Sequence, residues 1–162
     1  MSELDRTVLH SVGKSDSSLE IEILWSPADS ANGETLRRAF GDHQLAMQTG
    51  ATFGDRMNMA FSERFFFHRT QQIVAIGVGE PSLDRALIDD AFLLLESCDW
   101  VIGPAQHGGF YLIGCRGAVF DPAVFRNVPW DTNAVMQLTL DRIGASQNTV
   151  AMLPARDWGM AA

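Results

Sequence analysis

The sequence predicts an α/β domain. Short apolar runs rich in β-branched residues alternate along the chain with segments whose apolar residues recur every three or four positions. No internal repeat, low-complexity tract or linker interrupts this alternation. The length of 162 residues suits one hydrophobic core, so we expect a single domain over residues 1–162.

The first three elements are predicted from spacing. Residues 3–12 place Leu4 and Val8 four positions apart and predict a short helix. Residues 19–25 alternate apolar and acidic side chains, as a half-exposed strand does. A second helix is predicted from about residue 32 to residue 40.

The middle of the chain gives a loop with two glycines, then a helix and a strand. The helix carries Met57, Phe61 and Phe65 on one stripe. Residues 71–77 form a short apolar run rich in β-branched residues, which is typical of a strand covered on both faces.

A third amphipathic segment and two strands follow. Asp84 is placed as the N-cap of a helix that extends to about Ser97. Residues 99–105 and 109–115 are predicted as two strands joined by a hinge, which contains a histidine followed by two glycines.

The last elements are a helix and a strand. Thr132 is predicted to cap a helix over about residues 133–143, and residues 149–154 form the final strand. Residues from about 155 to 162 are predicted as a loose tail.

Composition and charge exclude several classes of protein. The formal net charge is −8 and the isoelectric point is near 4.8, which argues against binding to nucleic acid. No apolar run approaches the roughly 20 residues of a membrane span, and no basic start followed by an apolar block marks a secretory signal. We therefore expect a cytoplasmic protein that does not enter a membrane. Cys98 and Cys115 lie in apolar surroundings and are predicted to be buried, inert thiols.

Five blocks of the sequence together resemble one family. These blocks read QTGATFGDRMNMAF, IVAIGVGEPSLDRALIDDAFLLL, WVIGPAQHGGFYLIG, VPWDTNAVMQLTLDR and TVAMLPARDW. In this order they resemble the motifs of the DUF2064 group of GT-A-like nucleotide-diphospho-sugar transferases. The resemblance covers about residues 3–157, and an ordered chain of motifs is far more specific than any one glycine pattern.

The resemblance implies a Rossmann-like GT-A fold, a three-layer α/β/α arrangement with a mostly parallel sheet. It also implies a crevice at the carboxyl ends of the strands that receives a nucleotide or nucleotide-linked sugar and a divalent metal, Mg²⁺ or Mn²⁺. The positions of this sequence that match the family's binding motifs are Gln48, Gly50, Gly54, Arg56, Gly79, Pro81, Gly108, Gly109, Trp130 and Thr132.

The chain departs from the family pattern at the metal site. Gly79 stands where the family has an aspartate, with Glu80 one position later, and His107 stands where the family has a second aspartate. Hard carboxylate oxygens are the ligands that Mg²⁺ and Mn²⁺ prefer, so the loss of both aspartates predicts a weakened or lost metal site. Glu80 and His107 are the candidate replacement ligands and the candidate catalytic residues. The family's closing acidic motif also retains one carboxylate, Asp157, instead of two.

The family's first strand and its basic, glycine-containing loop have no counterpart before residue 3. That strand is internal in the family, so a gap in the sheet would expose unpaired backbone groups. We expect one of three compensations: neighbouring strands close up, a partner chain covers the gap, or N-terminal residues pair there. The favoured hypothesis is a homo-oligomer that covers the gap, with part of the apolar run 65–67 at its interface.

Each candidate residue also has a structural interpretation. His107 could cap a turn, and Glu80 could be a solvated loop acid. Arg56 fits either a phosphate contact at a helix start or an ion pair with a neighbouring acid. Gln48 could bind a base or ribose or only its own loop, and Trp130 could stack on a ligand or fill the core.

Three functional hypotheses follow. The favoured one is a degenerate member of the transferase family whose metal-dependent catalysis is impaired or lost, since several departures affect one site while the packing motifs are retained. The second is an active glycosyl or nucleotidyl transferase that uses Glu80 and His107. The third is a metal-independent protein that binds a nucleotide or another small molecule, or a regulatory protein.

Overall fold

The computed structural model describes residues 8–15, 18–25, 44–77, 85–106, 108–130 and 132–157. Seven strands and three α-helices follow one another in these ranges. In chain order they are β1 (Val8–Ser15), β2 (Ser18–Trp25), β3 (Gln44–Met47), α1 (Phe53–Phe67), β4 (Gln72–Gly77), α2 (Arg85–Leu94), β5 (Trp100–Pro104), β6 (Phe110–Arg116), α3 (Val135–Ala145) and β7 (Val150–Met152).

The strands form one mixed sheet in the order β3-β2-β1-β4-β6-β5-β7. Only β2/β3 and β5/β7 pair in parallel, and the other four pairs of described strands are antiparallel. The prediction of a mostly parallel sheet is therefore wrong for the strand pairs, although five strands share one direction. Short links explain two of the four antiparallel pairs, because the connections between β1 and β2 and between β5 and β6 permit only antiparallel pairing, whereas a parallel pair needs a long crossover.

The predicted N-terminal helix is wrong where the structure describes it. Residues 8–12 belong to β1, which pairs along its length with β2 and also pairs with β4. Helical spacing over so few residues is a weak signal, and pairing on both sides satisfies far more backbone groups than an isolated short helix could. Residues 3–7 lie outside the described ranges.

The position between β2 and β4 is occupied by β1. Leu9 pairs with Leu24 on one side and with Gly77 on the other, and Val12 pairs with Ile21 and Val74. Of the three expected compensations, the structure has the third, in which N-terminal residues pair in the sheet. Because β1 pairs with both neighbouring strands, no gap remains between β2 and β4 for a partner chain to cover. The formation of a homo-oligomer stays a prediction.

Most other predicted elements are confirmed within a few residues. They are β2, α1, β4, α2, β5, β6, α3 and β7. β3 was not predicted, because four residues between two loops carry too short a pattern. The predicted helix over residues 32–40 and the Asp84 cap lie outside the described residues.

Two apolar clusters pack against opposite sides of the sheet. Ile73 and Ala75 of β4 face the cluster that contains α1 and α3, whereas Val74 and Ile76 face the cluster that contains α2. The alternation follows from the two-residue period of a strand. Helices therefore cover both faces of the sheet around β4, and the predicted stripe of Met57, Phe61 and Phe65 lies fully within the first cluster.

The two cysteines differ in exposure. Both thiols are free, and Cys115 is fully buried in β6, where burial raises the pKa of its thiol well above the usual value. Cys98 is only half-buried, so the prediction of two buried thiols is wrong for this residue. Among the described residues, no helix combines the length and the apolar character that crossing a membrane requires.

Part of the predicted tail is paired. The Arg156 N–H donates to the Pro104 carbonyl (3.0 Å), and the Gln106 N–H donates to the Arg156 carbonyl (2.8 Å). Residues 155–157 therefore follow the end of β5. Residues 158–162 lie outside the described ranges.

Candidate functional site

The candidate site lies at the end of the sheet where β3, β4, β5 and β7 finish. Met47 pairs with Trp25, Gly77 pairs with Leu9, and Met152 pairs with Ile102, so the carboxyl ends of these strands lie at the same end of the sheet. The α1 N-terminus follows β3 directly, and the loop between β5 and β6 begins here as well. In open α/β sheets, ligands bind at the carboxyl ends of the strands.

Trp130 connects the start of α1 to the start of β6. Its ring lies edge-on to Phe53, with centroids 4.7 Å apart, and edge-on to Phe110, with centroids 5.8 Å apart. Gly54 permits this packing, because a Cβ on Gly54 would overlap the Phe125 carbonyl oxygen and come within 3.1 Å of the Trp130 indole nitrogen. Both residues thus belong to the packing at the start of α1, and Trp130 is half-buried.

Arg56 and Gln48 are joined to each other. The Arg56 Nε–H donates to the Gln48 side-chain oxygen at 3.0 Å, and the guanidinium lies 5.6 Å from the centre of the Phe53 ring. Gln48 is only 4% exposed, and its side-chain oxygen orients Arg56. Its contact with a ligand stays a prediction. Among the described residues, no carboxylate forms an ion pair with Arg56.

The first turn of α1 is capped by its own residues. The Asp55 N–H donates to Thr52 Oγ1 at 3.1 Å, and the Thr52 N–H donates to the Asp55 carboxylate at 3.2 Å. Gly50 lies against this turn, with φ of 140°. The predicted phosphate contact at this helix start would therefore meet a negative charge and a backbone N–H that already has a partner.

Removal of the cap should destabilise α1. Replacing Thr52 by alanine is expected to lower the free energy of unfolding by about 1 kcal/mol. The Asp55 N–H loses its hydrogen-bond acceptor, and the reciprocal bond from the Thr52 N–H to the Asp55 carboxylate is weakened. Urea unfolding measures the change, and Thr52→Ser, which keeps the hydroxyl group that accepts the Asp55 N–H, serves as the control. An equal loss in both variants would contradict the role of Thr52.

Gly108 lies against the start of α3. Its φ is 93°, and an added Cβ would come within 2.6 Å of the Asn133 carbonyl oxygen. The Gly108 carbonyl accepts the Met136 N–H at 2.9 Å and so satisfies one of the free donors at this helix start. Gly109 differs, because a Cβ there would meet nothing within 4 Å.

Thr132 is not the N-cap of α3. The N-cap residue is Ala134, which offers no side-chain bond, and the helix begins at Val135. Thr132 Oγ1 donates to the Pro129 carbonyl at 2.8 Å and accepts the Ala134 N–H at 3.3 Å. The hydroxyl thus closes the loop before the helix, and the Gly108 carbonyl, supplied by another loop, performs part of the capping.

The remaining predicted site residues, Gly79, Glu80, Pro81 and His107, lie outside the described residues. The proposed metal ligands Glu80 and His107 are among them, so their role remains a prediction. In the described ranges, no three His, Cys, Asp or Glu side chains are close enough together to hold a metal ion. Asp157 is described and exposed.

Sequence reasoning missed Asn133 and Arg156 at this end of the sheet. Arg156 lies 5.4 Å from the centre of the Tyr111 ring, and the Tyr111 hydroxyl donates to the Pro154 carbonyl at 2.8 Å. Burial raises the pKa of Tyr111, while the nearby charge of Arg156 lowers it in part. The position of Arg156, two residues after the predicted last strand, was the signal that could have placed it at this end of the sheet.

Comparisons with known proteins agree with the motifs. Residues 9–132 match the model of a family described as an uncharacterized protein conserved in bacteria, DUF2064. A crystal structure from Desulfovibrio desulfuricans G20, named a "putative nucleotide-diphospho-sugar transferase", is 31% identical and superimposes with a TM-score of 0.77. The match covers 84% of this chain and 59% of that chain. No curated protein matches significantly.

Proposed function

The chain belongs to the DUF2064 family, and from this premise we propose that it is a transferase-like protein whose metal-dependent catalysis is impaired. The proposed fold is the Rossmann-like, three-layer GT-A arrangement, with the ligand crevice at the carboxyl ends of the strands. A nucleotide or nucleotide-linked sugar is the proposed ligand class, which the name of the D. desulfuricans protein supports.

The direction of β1 carries the proposal. In the family pattern, a basic glycine-containing loop follows the first strand and helps to hold the nucleotide. Here β1 pairs antiparallel with both β2 and β4, so the carboxyl end of β1 lies at the end of the sheet opposite the candidate site. Ser15 pairs with Ser18 in the hairpin with β2, and the link that follows β1 therefore cannot reach a nucleotide in the crevice.

The metal motif supports the same proposal from the sequence. Gly79 and His107 replace the two aspartates of the family pattern, and a glycine offers no side-chain ligand at all. Glu80 and His107 form an alternative pair for Mg²⁺ or Mn²⁺, although two ligands are few for a hard cation. An active transferase would need this pair to replace both aspartates.

Metal-independent binding is the second candidate function. It is favoured by Arg56, whose guanidinium is held at the crevice end by Gln48 and by the Phe53 ring. Guanidinium groups bind phosphate in a fixed fork geometry without a metal ion. The capped α1 N-terminus adds no positive charge here, so Arg56 is the group on which such binding would depend.

Thermal shift with ligands tests these alternatives. We expect Mn²⁺ to add no stabilisation to that given by nucleoside diphosphates or nucleotide sugars alone, because the metal-dependent contacts are the ones proposed to be lost. Stabilisation that requires Mn²⁺ would contradict the proposal and support the active transferase. Stabilisation without metal that is lost in Arg56→Ala, but retained in Arg69→Ala at the opposite end of the sheet, would support the binding function.

A further inference from the structure

Arg156 is fixed at the end of the sheet where the candidate site lies. Its N–H donates to the Pro104 carbonyl at 3.0 Å, and its carbonyl accepts the Gln106 N–H at 2.8 Å. β5 and β7 run parallel and both finish at this end, so Arg156 follows the last strand directly into the candidate site. The proposed function gives this arginine no role.

The side chain of Arg156 lies on a buried aromatic ring. Its guanidinium carbon is 5.4 Å from the centre of the Tyr111 ring, a distance at which a cation is attracted to the ring face. Tyr111 is fully buried, and its hydroxyl donates to the Pro154 carbonyl at 2.8 Å. Gly103 makes room for the ring, because a Cβ on Gly103 would overlap it. Arg156 itself is only half-buried, so a fixed ring supports a guanidinium that remains accessible in part.

Arg156 lies on the α2 side of the sheet. Tyr111, which supports it, packs in the apolar cluster that contains α2. The segment after α2 reaches the opposite end of the sheet, where the Leu95 carbonyl accepts a bond from the Gln72 side chain at 3.4 Å. The first turn of α2 therefore lies toward the candidate site. Arg56 belongs to α1, which covers the other side of the sheet, so the two arginines are separate candidates for a ligand contact.

The two departures from the family's metal motif belong to segments that begin at this same end. Gly79 and Glu80 belong to the segment between β4 and α2, and β4 finishes at the candidate site. His107 follows Gln106 directly in the chain, and Gln106 is hydrogen-bonded to the Arg156 backbone. A cationic side chain is thus fixed at the end of the sheet to which the family pattern assigns a metal ion.

The charges of these positions favour phosphate over a metal ion. Replacing two aspartates by Gly79 and His107 removes the negative charge that a divalent cation needs. The guanidinium of Arg156 adds positive charge, which repels a divalent cation and attracts an anion. A guanidinium also binds phosphate oxygens in a planar fork without any metal ion. The loss of the acids and the presence of the arginine therefore act in the same direction.

We propose that Arg156 binds the diphosphate group of a nucleotide ligand at this end of the sheet, in place of a divalent metal ion. The inference rests on the proposed function for the class of ligand, a nucleotide or nucleotide-linked sugar. It places the phosphates on the α2 side of the sheet rather than beside Arg56. Tyr111 is a positioning residue, because its ring holds the guanidinium of Arg156.

Titration calorimetry of the full chain in EDTA tests the contact. The probes are inorganic diphosphate and the nucleoside diphosphates ADP, GDP, CDP and UDP, and we expect inorganic diphosphate and at least one nucleotide to bind without metal. Arg156→Gln should weaken this binding at least about tenfold, because a charged fork becomes a neutral amide. Arg156→Lys, which keeps the charge without the fork, should be affected less. Arg69→Gln, at the opposite end of the sheet, is the matched control and should bind like the wild type.

Salt dependence distinguishes a phosphate contact from a purely structural role of Arg156. The affinity for inorganic diphosphate should fall as NaCl is raised from about 0.05 to about 0.3 M, and Arg156→Gln should show a smaller fall. Tyr111→Phe keeps the ring and loses the bond to the Pro154 carbonyl. This variant should be less stable than the wild type and still bind within about threefold of it. Circular dichroism and melting temperature without ligand establish that each variant is folded.

The outcomes separate this inference from the proposed function. Metal-independent binding that is equal in Arg156→Gln and the wild type would overturn the inference and leave the proposed function intact. Loss of binding in Arg56→Gln alone would do the same, because it would place the phosphates on the α1 side. A wild type that binds none of the probes would also overturn the inference. Binding that requires Mn²⁺ would contradict the proposed function and, with it, the role of Arg156.

Discussion

Replacing Gly54 by alanine is expected to lower the free energy of unfolding by at least about 2 kcal/mol, although alanine is the better helix former. Gly54 lies in the first turn of α1 and is buried. The methyl group would overlap the Phe125 carbonyl oxygen, which belongs to the backbone and cannot rotate away. To make room, α1 would have to separate from the segment that carries Phe125 and Trp130.

The expected loss extends beyond one contact. Phe53, next to Gly54, packs edge-on against Trp130, and Trp130 packs against Phe110. A shift of the α1 start therefore disturbs aromatic contacts that each contribute about 0.5–1.5 kcal/mol beyond burial. Near-ultraviolet circular dichroism should report the altered tryptophan environment, and urea unfolding should report the stability.

Gly144→Ala is the matched control for Gly54→Ala. Gly144 is also a helical glycine, it is exposed, and a Cβ there would meet nothing within 4 Å. This variant is expected to be more stable than the wild type by about 0.5–1 kcal/mol, because alanine restricts the unfolded chain and favours the helix. A gain in stability for both variants would show that α1 does not approach Phe125 closely.

The sequence was informative where a short segment decides its own structure. The stripe of Met57, Phe61 and Phe65 and the apolar run of β4 predicted both the elements and their buried faces. β1 could not be predicted in this way, because its structure is determined by two strands that follow it in the chain. The spacing of Leu4 and Val8 fitted a helix, and tertiary pairing outweighed that local preference.

The candidate site shows the same division. Motifs predicted that the segment before α1 and the segment after β5 lie at the carboxyl ends of the strands, but they did not predict which residues contact each other there. Gln48 was predicted to bind a ligand or its own loop, and the sequence did not indicate that its side-chain oxygen accepts a hydrogen bond from Arg56, eight residues later. The Gly108 carbonyl caps a helix that begins 27 positions further on, at Val135, and no local pattern could indicate this. Such contacts depend on the fold as a whole.

Replacing Gly108 by alanine should be the most damaging change in the loop between β5 and β6, with an expected loss of at least about 2 kcal/mol of stability. A φ of 93° is unfavourable for any L-residue with a side chain. The added Cβ would also come within 2.6 Å of the Asn133 carbonyl oxygen. If the loop moves away to relieve both, the Gly108 carbonyl loses the Met136 N–H, and α3 loses a cap that Ala134 cannot replace.

Gly109→Ala is the control for Gly108→Ala, because it adds the same methyl group to the same loop without the unfavourable φ or the approach to Asn133. Its Cβ would meet nothing within 4 Å and its backbone is not left-handed, so a change below about 0.5 kcal/mol is expected in urea unfolding. Hydrogen exchange of the first turn of α3 should accelerate in Gly108→Ala and not in Gly109→Ala. Equal losses in the two variants would mean that the loop is sensitive to a side chain at either glycine, and the approach to α3 would then not explain the loss at Gly108.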